Sequence, residues 1–197
     1  MQFGTLGKLR GLEPFTPVGI TVHYLGSVNV TTAAQSLDAA NLAYHVIIDK
    51  GGHAWQMADF GKRVNHAGVA TWQGYSPNKS HLAIAVASWG QLKFEGKKLK
   101  TWAGQAFNAE DAAYRAGNLG LAKTWWDSAT HEQVDKLLEI LRHFVLGGIH
   151  PANICGHDEC ALPQGRKQDP GGVLPFTMVE LRKLLMRDKL SSEVVTP

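Results

Sequence analysis

The sequence predicts an α/β (or α+β) fold in which a mixed β-sheet of about five strands is flanked by helices. Short apolar segments of strand length lie between segments with helical periodicity, and this order is typical of a sheet covered by helices. The length of 197 residues fits one compact domain. The hydrophobic fraction of 44% and the charged fraction of 19% are typical of globular proteins and exclude a disordered chain.

Five strands are predicted, because five apolar segments have the length and the flanking turns of β-strands. In residues 19–25 aliphatic side chains alternate with Thr21 and His23, so His23 should point away from the aliphatic face. Residues 82–87 are continuously apolar, which predicts a central strand covered on both faces. The other three are residues 44–49 and 53–59, joined as a hairpin by a Gly-Gly turn, and residues 153–156.

Three helices are predicted where a capping box precedes apolar residues at helical spacing. In a capping box, the side chains of a Ser or Thr and of a Glu or Gln three residues later bond to each other's backbone N–H groups. The first helix is predicted to end at about Leu42. The three boxes are Thr32 with Gln35, Thr130 with Gln133, and Thr177 with Glu180.

A single domain is predicted over residues 1–190, followed by a tail at 191–197 that should fray. Periodicity weakens from about residue 91 to residue 127, so we predict an irregular or partly helical insertion there. Three tryptophans in the insertion are compatible with a surface that stacks on sugars and equally with a small satellite core. They are Trp102, Trp125 and Trp126.

Charge and cysteine content narrow the class of protein. The net charge of +3 comes without a long basic block, so no nucleic-acid partner is expected. Cys155 and Cys160 are too few for a disulfide framework and should be reduced. Residues 1–17 lack an apolar run of signal-peptide length, and no segment reaches membrane-spanning length. We expect a monomer, synthesised in the cytoplasm without a signal peptide or transmembrane segment.

Histidines are the main candidates for chemistry. The sequence carries no G-x-S-x-G elbow, no Walker loop and no Gly-x-Gly-x-x-Gly segment after the first strand, which disfavours serine hydrolases and nucleotide enzymes. It carries nine histidines. A catalytic zinc requires three protein ligands and one open position for water. His23, His157 and Asp169 could supply them, although spacing alone also allows structural roles.

Five ordered motifs carry a resemblance to a known family. The chain resembles the type-2 N-acetylmuramoyl-L-alanine amidases, which share their fold with peptidoglycan recognition proteins and amidase-type phage lysozymes. The resemblance covers about residues 19–176, interrupted by residues 91–127, and implies the fold of that family. The motifs are Ile20-Thr21-Val22-His23, Tyr44-His45-Val46-Ile47-Ile48-Asp49, Asn65-His66-Ala67-Gly68, Gly156-His157 and Gly165-Arg166-Lys167-Gln168-Asp169-Pro170-Gly171.

The resemblance implies one zinc ion per chain, bound by His23, His157 and Asp169 with water in the fourth position. It also implies two catalytic residues. Lys167 would stabilise the tetrahedral oxyanion that forms when water attacks the amide carbonyl. Tyr44 would orient the attacking water or exchange a proton with it.

Three further positions follow from the matched motifs. His66 is predicted to contact the substrate in the groove. Ala85 stands where the recycling branch of the family has a glutamate that acts on the water, and the phage lysozyme branch lacks that glutamate too. Cys160 lies three residues after His157 and could compete for zinc. Asp169 is preferred, because it holds the family's third-ligand position after the lysine.

The resemblance implies hydrolysis of the amide bond between the lactyl group of N-acetylmuramic acid and L-alanine in bacterial peptidoglycan. We expect a phage-type endolysin, an amidase made in the cytoplasm that acts on the cell wall after release. One alternative is a cytosolic amidase that recycles anhydro-muropeptides, which Ala85 disfavours. Another is a peptidoglycan-binding receptor without catalysis, which the retained ligand set disfavours.

Overall fold

A six-stranded mixed sheet forms the centre of the protein in a computed structural model that describes residues 2–120 and 122–194. The two strands of the predicted hairpin, Val46–Ile48 and Ala54–Ala58, are antiparallel, and every other neighbouring pair of strands is parallel. In spatial order the strands are β1 (Gly4–Arg10), β4 (Ala54–Ala58), β3 (Val46–Ile48), β5 (His81–Val86), β2 (Gly19–Tyr24) and β11 (Ile154–Gly156).

Helices cover both faces of this sheet. On one face α1 (Val30–Ala39) packs over a small cluster that includes Ile47 and Ala85. On the other face α3 (His131–Leu146) and α5 (Met178–Val194) enclose the larger core. Two single-turn helices, α2 (Pro77–Ser80) and α4 (His157–Cys160), lie at the ends of strands. The prediction of a mixed sheet flanked by helices is confirmed, with one more strand than expected.

Strand β2 divides its side chains between the two faces. Ile20 and Val22 are fully buried in the core under α3 and α5. His23 is also fully buried, but its ring lies beside Tyr44, which packs against the α1 cluster. The predicted orientation of His23 away from the aliphatic face is therefore confirmed.

Two of the three predicted capping boxes are present. Thr130 and Gln133 cap α3 with both reciprocal hydrogen bonds, at 3.1 Å each. At the start of α5, the Glu180 carboxylate accepts from the Thr177 N–H at 2.7 Å, and the Thr177 hydroxyl accepts from the Glu180 N–H at 3.2 Å. Helix α5 runs to Val194, and residues 195–197 of the predicted frayed tail lie outside the described residues.

The predicted start and end of α1 were wrong. The N-cap is Asn29, whose side-chain oxygen accepts from the Thr32 N–H at 2.9 Å, so Thr32 already lies within the helix. Asparagine is among the strongest N-cap residues and here takes the position expected for threonine. The helix ends at Ala39, before Leu42.

Strand β1 was not predicted. It pairs in parallel with β4 at the edge of the sheet, and most of its side chains are exposed. Its sequence contains two glycines and places Leu6 and Leu9 three residues apart, so neither strand nor helix periodicity is visible. An edge strand buries little apolar surface, which removes the signal that identifies a strand.

The prediction of an irregular or partly helical insertion at 91–127 was wrong. This segment forms a second, antiparallel sheet of five short strands. Strands of two to five residues are too short to show an alternating pattern in sequence. In spatial order they are β8 (Ala106–Phe107), β7 (Lys98–Lys100), β6 (Gln91–Glu95), β10 (Thr124–Asp127) and β9 (Ala112–Arg115).

The second sheet is attached to the rest of the domain by buried contacts. Trp126 is 2% exposed and belongs to the main core. The Arg115 guanidinium donates to the Leu174 carbonyl at 3.0 Å. The Asn118 amide donates to the Asp158 carboxylate at 3.0 Å and accepts from the backbone N–H of Met178 at 3.2 Å. The insertion thus contributes to both the core and the segment that carries His157.

His45 is a buried histidine with a structural role in the central sheet. Its Nδ1 accepts from the Ala83 N–H at 2.9 Å, and its Nε2–H donates to the Lys62 carbonyl at 3.0 Å. These two bonds require a neutral imidazole, because Nδ1 must keep its lone pair. Burial is the main cause that lowers the pKa of His45 to about 4.

We expect His45 to make the fold sensitive to acid. Because its pKa falls on folding from about 6.5, the unfolded chain takes up the proton first as the pH falls. Its contribution to the free energy of unfolding should be complete above about pH 6.5 and lost as the pH falls to about 4, a change of about 3 kcal/mol.

Urea unfolding of metal-free protein between pH 7.5 and pH 4 measures this effect. His45→Gln should lower stability at neutral pH and flatten the decline toward acid. His53→Gln is the matched control, because the His53 side chain is 76% exposed. An equally steep decline in wild type and His45→Gln would contradict the assignment.

Candidate metal centre

A cavity of about 380 Å³ opens on the α1 side of the sheet, near the end of β2. Some of the residues that line it were not predicted as site residues, among them Tyr24, Leu42 and Arg166. Tyr24 and Leu42 each lie within two residues of a predicted site residue in sequence, which is the only signal that could have indicated them. Five predicted site residues line the cavity: Tyr44, His66, His157, Lys167 and Asp169.

Three candidate donor atoms converge at one point of this site. His23 Nδ1 lies 2.8 Å from Asp169 Oδ2, and His157 Nδ1 lies 2.9 Å from the same oxygen. The three ligand atoms all lie within 4.8 Å of one another. All three residues are at most 7% exposed. The structure therefore brings together the three residues predicted to bind zinc.

Parallel strand pairing accounts for the proximity of the two histidines. His23 is the penultimate residue of β2, and His157 directly follows β11, the parallel neighbour of β2. Parallel strands end at the same edge of a sheet, so the two side chains meet there. Asp169 approaches from a loop, and its backbone carbonyl accepts from the Asp158 N–H at 2.7 Å.

Hydrogen bonds fix the tautomers of the two candidate ligand histidines, His23 and His157. The Nε2–H of His157 donates to the Ala67 carbonyl at 2.9 Å, so Nδ1 of the neutral ring carries a lone pair. The Nε2–H of His66 donates to the Pro77 carbonyl at 3.2 Å, which leaves His66 Nδ1 as an acceptor. His23 Nε2 must then donate to His66 Nδ1 at 3.0 Å, and His23 Nδ1 also carries a lone pair.

This arrangement fits a zinc ion. Two imidazole lone pairs and a carboxylate oxygen point at the same space and would repel one another unless a cation or a proton lay between them. Two nitrogens and one oxygen form a common catalytic zinc donor set, and a backbone carbonyl on the far ring nitrogen, as found for His157, is typical of zinc-bound histidines.

The electrostatics of the site favour the ligand forms of His23 and Asp169. Burial is the main cause that lowers the pKa of His23 to about 4, and the positive charge of Lys167 lowers it further. Burial alone would raise the pKa of Asp169, but the hydrogen bonds that its carboxylate accepts when a proton lies on Nδ1 of His157 or His23 outweigh this and hold the pKa below its ordinary value. At neutral pH, His23 is neutral and Asp169 is charged.

Arg166 holds the loop that supports His157. Its guanidinium donates to the carbonyls of Ala67 and Val69 at 2.9 Å each, and to the Leu162 carbonyl at 2.8 Å. The Ala67 carbonyl is also the partner of His157 Nε2–H, so Arg166 fixes the orientation of a candidate ligand. The residue belongs to the motif 165–171, but its contacts depend on loop packing that sequence does not reveal.

Comparison with known proteins identifies the family. A sequence model of the family described as N-acetylmuramoyl-L-alanine amidase matches residues 13–172, most of the chain. The chain belongs to this amidase family. No curated protein matched it.

Solved structures of amidases have the same fold. AMPDH3 from Pseudomonas aeruginosa in complex with anhydromuramic pentapeptide has a TM-score of 0.59 and 16% identity over 92% of this chain and 64% of its own. AmiD from E. coli, in complex with anhydro-N-acetylmuramic acid-L-Ala-D-γ-Glu-L-Lys, has a TM-score of 0.59 and 17% identity over 90% and 61%. The chain thus spans less than two thirds of either relative.

A third similar structure has nearly the same length as this chain. The N-acetylmuramoyl-L-alanine amidase LysC from Clostridium intestinale has a TM-score of 0.58 and 17% identity over 95% of this chain and 98% of its own. At such identities the likeness concerns the fold. In the described parts of the chain, 2–120 and 122–194, no helix has the length and apolar character needed to cross a membrane.

The two predicted catalytic residues of this amidase-family chain face the site. The Tyr44 ring lies 4.8 Å from the His23 ring, and burial raises the pKa of its hydroxyl, which therefore stays protonated. Lys167 is half-buried in the cavity wall. Ala85 is fully buried and pairs directly with His23 across the sheet, so no carboxylate occupies that position.

Cys160 lies outside the group of converging donor atoms. Its buried thiol donates to the His157 carbonyl at 3.6 Å, within the turn of α4. Among the described residues, the cluster with suitable donor geometry contains His23, His157 and Asp169. This geometry supports the preference for Asp169 as the third ligand.

Proposed function

We propose that the protein is a zinc-dependent amidase that hydrolyses the lactyl–L-alanine amide bond of peptidoglycan. The observation that carries the proposal is the convergence of His23 Nδ1, His157 Nδ1 and the Asp169 carboxylate beside an open cavity. Membership of the amidase family supplies the reaction class.

In this proposal His23, His157 and Asp169 hold one zinc ion per chain. When bound, zinc lowers the pKa of a water molecule and polarises the substrate carbonyl. The chain's own residues keep the ligands in their binding forms: His66 accepts from His23 Nε2–H, and the Ala67 carbonyl accepts from His157 Nε2–H. His66 thereby acquires a positioning role beside its predicted contact with substrate, since it also lines the cavity.

Tyr44 and Lys167 complete the proposed site. The Lys167 ammonium donates hydrogen bonds to the oxyanion that develops on the amide carbonyl, where charge appears only during reaction. The Tyr44 hydroxyl stays protonated and orients the attacking water through a hydrogen bond. Because Ala85 provides no carboxylate, both roles depend on Tyr44 and Lys167.

We further propose that the protein acts as a phage-type endolysin, synthesised in the cytoplasm and released onto the cell wall. Its chain matches LysC and the endolysin LysCS of Clostridium intestinale over nearly their whole lengths. A recycling amidase is the second candidate, because the similar AMPDH3 and AmiD were solved with anhydromuramic peptides. The intact ligand set and the presence of Tyr44 and Lys167 argue against a receptor without catalysis.

Mass spectrometry of products from purified sacculi tests the reaction. Stem peptides that begin with free L-alanine should appear, together with glycan chains that have lost their peptides. A parallel assay on soluble anhydro-muropeptides separates the two physiological roles: faster turnover of sacculi supports the endolysin, and exclusive use of the soluble fragment supports recycling. Products cut at a glycosidic or peptide–peptide bond would refute the amidase assignment.

A further inference from the structure

An apolar groove adjoins the metal cavity. It has a volume of about 460 Å³ and shares Leu25, Gly26 and Leu42 with the cavity that contains the candidate ligands. Helix α1 forms one side through residues such as Leu37, and Trp102 of the second sheet contributes to the other. A molecule bound at the metal centre can therefore continue directly into this groove.

Trp102 is held in a fixed position while most of its surface stays open. It lies between β7 and β8 in a turn closed by a Thr101 N–H bond to the Gln105 carbonyl. Its indole N–H donates to the Gly26 carbonyl at 2.9 Å, and its ring packs edge-on against Trp89 at 6.3 Å. The residue is nevertheless 72% exposed. A ligand that binds to an indole fixed in this way costs the Trp102 side chain little conformational entropy.

The groove differs in charge from the metal cavity. None of the described residues that line the groove is charged, whereas Arg166, Lys167 and Asp169 line the cavity. The muropeptide seen with AmiD contains γ-linked glutamate and lysine, so a peptide stem of this kind carries charged groups. The glycan strand is uncharged where its muramic acids are amidated, and its rings present apolar C–H faces. The groove therefore suits the glycan better than the peptide.

We propose that Trp102, supported by Trp89, forms a saccharide subsite. This inference rests on the proposed amidase function: the subsite binds the N-acetylhexosamine linked to the muramic acid whose lactyl amide lies at the metal centre. The sugar ring stacks on the Trp102 indole, and the shared wall at Leu25 and Gly26 makes the groove and the metal cavity adjacent. The second sheet thus directs this enzyme toward glycan-bearing substrates.

Two substrates that differ by one sugar test the subsite. The probes are N-acetylglucosaminyl-N-acetylmuramoyl tripeptide and N-acetylmuramoyl tripeptide. Trp102→Ala should lower kcat/KM by about tenfold for the first probe, which carries a disaccharide, and leave kcat/KM unchanged for the second, which carries a single sugar. Trp102→Phe should retain part of the preference for the disaccharide probe. Phe94→Ala is the control, because Phe94 is an exposed aromatic residue of the same sheet outside the groove.

Binding to metal-free protein separates this inference from the amidase proposal. Calorimetric titration with the disaccharide probe should show about tenfold weaker binding for Trp102→Ala than for wild type. The same loss in a protein that hydrolyses neither probe would support the subsite and refute only the amidase function. If Trp102→Ala instead lowers kcat/KM or affinity equally for both probes, or for neither, either result would overturn the subsite. A loss for Phe94→Ala as large as that for Trp102→Ala would overturn it too.

Discussion

Replacing His157 with alanine is expected to abolish both stoichiometric zinc binding and the hydrolysis of peptidoglycan. His157 contributes one of three converging donor atoms, and the remaining pair of ligands cannot hold a catalytic zinc tightly. Its Nδ1 lies 2.9 Å from Asp169 Oδ2, and the donor cluster found among the described residues holds no fourth side chain that could replace it. Metal analysis of the purified variant and turnover of sacculi measure the two losses, with circular dichroism as a check on folding.

Cys160→Ser is the matched control for this experiment. The Cys160 thiol is bonded to the His157 carbonyl and lies outside the donor cluster, so the variant should keep one zinc per chain and most of its activity. Asp169→Asn should lose zinc, because the amide removes the charge of the third ligand. A zinc-free Cys160→Ser protein beside a zinc-replete Asp169→Asn protein would show that the thiol is the true ligand.

Lys167→Ala is expected to reduce turnover by roughly a hundred- to a thousandfold, the usual cost of removing one oxyanion donor. Zinc content and KM should change little, because an ammonium group does not ligate a cation and the ground-state carbonyl carries little charge. The loss should therefore appear in kcat. Lys167 lines the cavity beside the candidate ligands, and its positive charge contributes to lowering the pKa of His23.

Steady-state kinetics on a soluble muropeptide, with zinc quantified in the same preparation, provides the measurement. Lys97→Ala serves as the control, since it removes the same charge at an exposed residue in the turn between β6 and β7 that does not line the cavity. Lys167→Arg should recover part of the rate. A zinc-replete Lys167→Ala enzyme that works at nearly wild-type speed would remove this lysine from the mechanism.

The sequence allowed prediction of those parts of the fold that have a strong periodic signal. Strand β2, the hairpin of β3 and β4, and the apolar strand β5 all bury a regular set of side chains, and each was predicted close to its observed limits. Strand β1 lies at an exposed edge, and the strands of the second sheet are only two to five residues long. Neither case produces a pattern that distinguishes strand from loop.

The candidate site could be predicted only in part for a similar reason. Strand ends place His23 and His157, but Asp169 lies in a loop. The residues alone offered it only as a possible ligand, and the resemblance to the amidase family gave the preference for it over Cys160. The hydrogen bond between His66 and His23, and that between Arg166 and Ala67, join segments far apart in sequence. Such contacts are set by loop packing, which leaves no periodic trace in the chain.

The burial of Trp126 restricts how the second sheet can be transplanted. A Cβ atom built on Gly171 or Gly172 would lie 2.5 Å or 2.4 Å from this indole, so the two glycines make the space that Trp126 fills. Both follow Asp169 closely in the chain. A chimaera that grafts residues 91–127 onto another amidase must therefore carry this glycine pair with it, and a deletion of the sheet would open a void beside the Asp169 loop. The insertion and the metal-binding loop are exchangeable only together.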